Sequence, residues 1–162
     1  MSCNIIKSLM RQSIAKFIFF ITACNLVTDC LSLPFFFITK RGDLNNGIIE
    51  IKFIEVLLFP VFISPLVETF IEQMIPIYIL NKITNRPWLI IAVSATVFSI
   101  IHGFDDFTRL IPSFFGGILL AFSFWHWSKA SYKKAYWITC AIHGLHNLVI
   151  SILLIIVYVV YE

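Results

Sequence analysis

Residues Val56–Leu80 read VLLFPVFISPLVETFIEQMIPIYIL. A helix crosses a hydrocarbon core of ~30 Å with about 20 apolar residues. This stretch exceeds that length and carries only two charged side chains, Glu68 and Glu72. Four further blocks reach or approach the same length: Phe17–Thr39, Pro87–Phe104, Leu110–Ser128 and Tyr136–Val160. Polar segments separate them. Lys40 to Gly47 reads as a loop by its turn residues, and Ile48–Glu55, with Glu50, Lys52 and Glu55, reads as a short interfacial helix leading into the second block. Asn81–Arg86, Asp105–Arg109 and Lys129–Lys134 close the other gaps. The expected fold is all-α, a polytopic transmembrane bundle of about five spanning helices with one interfacial helix. It forms one integral membrane domain over residues 1–162.

Composition argues the same way. Of 162 residues, 59% are hydrophobic and 13% are charged, about half the roughly 25% charged share of an ordinary globular chain. A mean hydropathy of +0.91 excludes a soluble domain and a disordered chain alike. A net charge of +3, interleaved with apolar runs, does not build a nucleic-acid groove, so the bilayer is the expected partner and nucleic acid is not. Cytoplasmic loops retain lysine and arginine. With five spans, the N-terminal side collects eight of them (Lys7, Arg11, Lys16, Lys82, Arg86, Lys129, Lys133, Lys134) and the other side four (Lys40, Arg41, Lys52, Arg109). The N terminus is therefore expected in the cytoplasm, in a bacterial plasma membrane, with Trp88, Trp125, Trp127 and Trp137 at the cytoplasmic interface. Ile21 to Cys24 resembles a lipoprotein cleavage site, but the apolar run continues beyond it to Phe37 and favours a span. Cys3, Cys24, Cys30 and Cys140 have no paired spacing and read as small hydrophobes.

An ionisable side chain at the centre of a span costs roughly 2.5 kcal/mol or more, so those that persist mark a site or a pairing. They are Asp29, Glu68, Glu72, His102, His126, His143 and His146. In a helix Glu68 and Glu72 share a face, and Thr69 and Gln73 share the adjacent stripe. Pro65 just before them, flanked by Pro60 and Pro76, predicts a kink with freed carbonyls. Phe98 lies one turn before His102. His143 and Asn147 stack at four-residue spacing with His146 close by, and Gly144 admits a close approach by a helix or a substrate backbone. Read singly, each group serves equally well as a hydrogen-bonding clamp between helices. Together, a carboxylate, two imidazoles and a carboxamide around one cavity are the kit for activating water and stabilising an oxyanion.

Pro65-x-x-Glu68-Thr69-x-x-x-Gln73, then Phe98-x-x-x-His102, then His143-x-x-x-Asn147 resemble in order and spacing the CPBP intramembrane proteases, which include type II CAAX prenyl endopeptidases and bacteriocin-associated relatives. The likeness covers about Phe59 to Leu153. The family pattern begins Glu-Glu-x-x-x-Arg, and here Thr69 and Gln73 replace its second Glu and its Arg like a swapped pair. The resemblance implies an intramembrane endopeptidase acting on a membrane-associated peptide or protein. It implies Glu68 as general base on a water that His102 helps to hold, with His143 and Asn147 polarising the scissile carbonyl. Thr69, Gln73, Glu72 and Phe98 support those four. A desolvated carboxylate is a better base than a surface one, and neutral His and Asn donate without adding buried charge. No cofactor is favoured; the alternative is zinc held by Glu68, His102 and His143.

Two readings of other classes stay open: a non-catalytic immunity or partner-binding protein that keeps the fold, and, less favoured, a small transporter lacking two symmetric halves. His126, between two tryptophans, reads as a headgroup-region residue and Asp105-Asp106 as a solvated turn. Asp29, with Asn25 one turn away, is a candidate for the cavity wall. The seventeen phenylalanines read as lipid-facing and packing surface.

Overall fold

A computed structural model describes residues 13–30, 54–104 and 107–161. Cys3, the part of the first block after Cys30, the Lys40 to Gly47 loop, the Asp105-Asp106 turn and all but the end of the interfacial helix lie outside the described residues. Among those described there are five helices and no strand. Helix α1 is Ile14–Cys30. Helix α2 covers residues 54–83 as a π-helical stretch Ile54–Ile63, an α-turn Ser64–Glu68, a second π-helical stretch Thr69–Met74 and an α-helical end Ile75–Ile83. Helices α3, α4 and α5 are Pro87–His102, Leu110–Ser128 and Tyr132–Tyr161. Residues Leu57–Ile83, Phe107–Ser128 and Tyr132–Ile156 are long and apolar enough to cross a membrane. Helix α3 is apolar but has 16 residues, about 24 Å at 1.5 Å per residue.

The irregularity of α2 follows from its prolines. A proline has no N–H to donate, so Pro65 leaves unbonded the carbonyl of Val61 in an α register and that of Pro60 in a π register. Helix α5 meets both. The Asn147 side-chain amide donates to the Pro60 carbonyl at 2.8 Å, and Gly144 packs so closely that an added Cβ would stand 2.7 Å from the Val61 oxygen. Pro76 leaves the Glu72 carbonyl in the same position, and it accepts from the Ser94 hydroxyl of α3 at 2.8 Å. Tyr136 donates to Leu66 O at 2.9 Å. Inside a bilayer no water is available for these groups, and a broken helix persists only where neighbours satisfy it.

Small residues bring the other helices together. A Cβ on Gly117 of α4 would meet the Ala95 backbone of α3 at 3.1 Å, the close approach that small residues permit between membrane helices. One apolar core joins Phe17, Ile21, Phe98, Leu120, Ile138 and Ile142; a second joins Ile77, Ile90, Ala121, Phe124 and Ala135. Outside these cores the apolar side chains turn outward, with Phe19, Phe62, Phe104 and Phe107 all exposed. An outward apolar surface around a polar interior suits an integral membrane protein.

The two ends of the bundle differ. At the end where α2 stops and α5 starts, Asn81 donates to the Tyr132 hydroxyl at 3.0 Å. There Lys82, Lys129 and Lys134 lie over the rings of Tyr78, Trp125 and Trp127. His126 lies at this same end and stacks on Phe17 and Phe122, with ring centroids 5.6 and 6.0 Å away. The C-terminal turns of α1 and α3 and the start of α4 form the opposite end.

Candidate active site

Glu68 ends the single α-turn of α2, between the two π-helical stretches. Its Oε1 accepts a hydrogen bond from Ser64, one turn earlier. Its Oε2 lies 3.3 Å from His143 Nε2 on α5 and 3.6 Å from His102 Nε2 at the end of α3. Three helices thus bring two imidazoles to one carboxylate oxygen. His102 Nδ1 is 3.0 Å from the Phe98 carbonyl, which assigns its proton there in the neutral tautomer and turns the Nε2 lone pair toward Glu68. Phe98 stacks on the His102 ring at 4.0 Å and stands 5.9 Å from the His143 ring. It forms an apolar wall behind both.

The two glutamates are not equivalent. Glu68 is 24% exposed and Glu72 3%, and only Glu68 lines the cavity of about 480 Å³ that opens beside them. Glu72 stands behind, with Oε2 3.6 Å from His102 Nδ1. Asn147 also lines the cavity; one of its amide hydrogens goes to Pro60, which fixes the carboxamide and leaves the second N–H as a donor. Asp29, His146 and Asn25 also line this cavity. Counting 1.5 Å per residue from the ends of the sequence blocks puts His143 and His102 ~12 Å apart in depth. Helix α5 starts at Tyr132, a turn before the expected Tyr136, which closes about half of that spread.

Thr69 and Gln73 are fully buried and neither lines the cavity. Neither amide atom of Gln73 has a hydrogen-bond partner, so this residue bears an uncompensated desolvation cost of roughly 1–3 kcal/mol. Gln73→Met, of similar shape, is expected to raise stability by about 1 kcal/mol, read as a higher unfolding midpoint in detergent micelles. A lower midpoint would mean that the amide is paired.

Ser64 is the site residue that sequence reasoning missed, although its i, i+4 relation to Glu68 was available. The Pro60 carbonyl was missed as an identified anchor. Among the described residues no group of three His, Cys, Asp or Glu side chains is arranged to hold a metal ion; Glu68, His102 and His143 are the residues that would hold zinc in the alternative reading.

Residues 50–149 match the family described as type II CAAX prenyl endopeptidase, Rce1-like. The chain belongs to this Rce1-like family. The match takes in Glu68, His102, His143 and Asn147 and leaves α1, with Asp29, outside it. No curated protein and no solved structure matches the chain. At family level the Rce1-like assignment means a CAAX-type membrane endopeptidase, and the long apolar helices make the chain an integral membrane protein. The Rce1-like region also holds Pro60, Pro65 and Pro76, the π-helical stretches and the Glu68 part of the cavity.

Proposed function

We propose that the chain hydrolyses a peptide bond in a membrane-associated peptide or protein, using a water activated by Glu68. The observation that carries this reading is the convergence of His143 and His102 on one Glu68 oxygen, at 3.3 and 3.6 Å, at the wall of a cavity. A water beside that contact gives one hydrogen to the carboxylate and the other to His102 Nε2. Both its protons then point at acceptors and its lone pair faces the cavity. On attack at the scissile carbonyl, Glu68 takes the proton. The second N–H of Asn147 donates to the oxygen that becomes negative, and the His143 Nε2–H, which rests against Glu68, turns to it once Glu68 is protonated. Thr69 and Gln73 sit outside this circuit, so the departure from the Glu-Glu-x-x-x-Arg pattern leaves its members in place. The expected setting is a bacterial plasma membrane with the N terminus cytoplasmic.

The test is the protein in lipid nanodiscs with an internally quenched peptide ending in a CAAX box, farnesylated or not, in water enriched in ¹⁸O and in the presence of a chelator. The expected result is release of the C-terminal tripeptide with ¹⁸O in the new carboxyl group. Failure to cut either peptide, with the protein folded, would overturn the reading.

A further inference from the structure

An amine leaves a tetrahedral intermediate only after its nitrogen has gained a proton, and in the scheme above Glu68 stands on the side from which water attacks. The same cavity carries a second acid–base pair that the scheme does not use. His146 Nε2 lies 3.3 Å from Asp29 Oδ2, a contact between α5 and the last turn of α1. Both residues line the same cavity as Glu68 and His143. His143 and His146 are three residues apart on α5, about 4.5 Å of rise, with Glu68 against the first and Asp29 against the second. A peptide bond bound along α5 with its carbonyl carbon beside Glu68 and its nitrogen toward His146 has Asp29 on the nitrogen side.

The geometry points to Asp29 as the general acid for the leaving amine, with His146 as the residue that positions it. This inference rests on the reading of Glu68 as base. Side-chain exposure fits the division: Asp29 is 37% exposed and His146 14%, so the carboxyl is the member presented to the cavity. Phe98, Leu120, Ile150 and Leu154 give that cavity apolar lining. A poorly solvated space of this kind accommodates one carboxylate and one carboxylic acid more readily than two anions. In the step itself, Asp29 Oδ2 accepts the His146 Nε2–H while the acid proton passes from the Asp29 carboxyl to the nitrogen. The C–N bond breaks with its electron pair going to nitrogen, and the Asp29 carboxylate stays hydrogen-bonded to His146. Cavity water then carries the proton that Glu68 took from the attacking water back to Asp29. One water is consumed and no other reactant is needed.

The experiment compares the CAAX peptide with its analogue in which the scissile amide is a thioester. A thiol, with an ordinary pKa near 8.5, leaves as thiolate and needs no acid. For Asp29→Asn the ratio of amide to thioester cleavage is expected to fall roughly 10²-fold from the wild-type ratio, and for His146→Gln by a smaller factor in the same direction. Glu68→Gln is expected to lower both cleavages without moving the ratio. An unchanged ratio in Asp29→Asn, whether both rates fall together or neither falls, overturns the assignment, because a strut between α1 and α5 would act on both substrates alike. A wild-type protein that cuts neither substrate overturns the reading of Glu68, and this inference with it.

Discussion

Replacing Glu68 by Gln is expected to lower peptide hydrolysis by roughly 10³-fold or more while leaving the fold intact, within the 10²–10⁴ that positioned proton transfer supplies. Glutamine keeps the shape and can still accept from Ser64, whose hydroxyl meets Glu68 Oε1. It cannot take a proton from water. Glu72→Gln is the control on the same helix face: it is nearly fully buried and off the cavity wall, so its effect is expected to stay within roughly 10-fold. Single-turnover rates in nanodiscs, with the unfolding midpoint alongside, check both. Equal losses in the two variants would place the base elsewhere. A protective or partner-binding activity that survives in folded Glu68→Gln protein would favour the non-catalytic reading.

Asn147→Ala is expected to act twice. Loss of one oxyanion donor lowers kcat by roughly 10²–10³-fold, with KM little changed because the donor is needed mainly in the transition state. The Pro60 carbonyl, which now accepts from Asn147 at 2.8 Å, is left without that donor, a cost of roughly 1–3 kcal/mol. Steady-state kinetics and thermal unfolding in the same detergent separate the two effects. Pro65→Ala tests the origin of the second one, since it returns an N–H to α2 that competes for the same carbonyls. A stability loss in Asn147→Ala with kcat unchanged would leave Asn147 as a helix clamp only.

The sequence was legible where one helix determines the answer. Four-residue spacing alone put Glu68 with Glu72 and His143 with Asn147, and the same arithmetic applied to Ser64 would have found the donor to Glu68. Pro60, Pro65 and Pro76 announced freed carbonyls, and the carbonyls of Pro60 and Glu72 do accept from side chains of other helices. Which side chain reaches which carbonyl was not legible, because that depends on how far α5 and α3 slide along α2. Helix spacing could not choose between Glu68 and Glu72, which lie on one face; the family motif pointed to Glu68, and it is Glu68 that lines the cavity. Asp29 and His146 are further removed still. They sit 117 residues apart in the chain, and their contact exists only because α1 docks on α5.

The lysines and indoles gather at the end of the bundle where α5 begins, whereas Asp29, His102 and the start of α4 bound the cavity toward the other end. That polarity ties enzymology to compartment. If the basic end faces the cytoplasm, as the lysine and arginine count expects, then hydrolytic water and the scissile bond reach Glu68 from the extracytoplasmic leaflet, and the peptides within reach are those exported or displayed there. If the basic end faces outward, the same cavity serves tails on the inner leaflet. A single cysteine placed near Lys133 and probed with an impermeant thiol reagent, in protein lacking its native cysteines, would decide which population of polypeptides the cavity can meet.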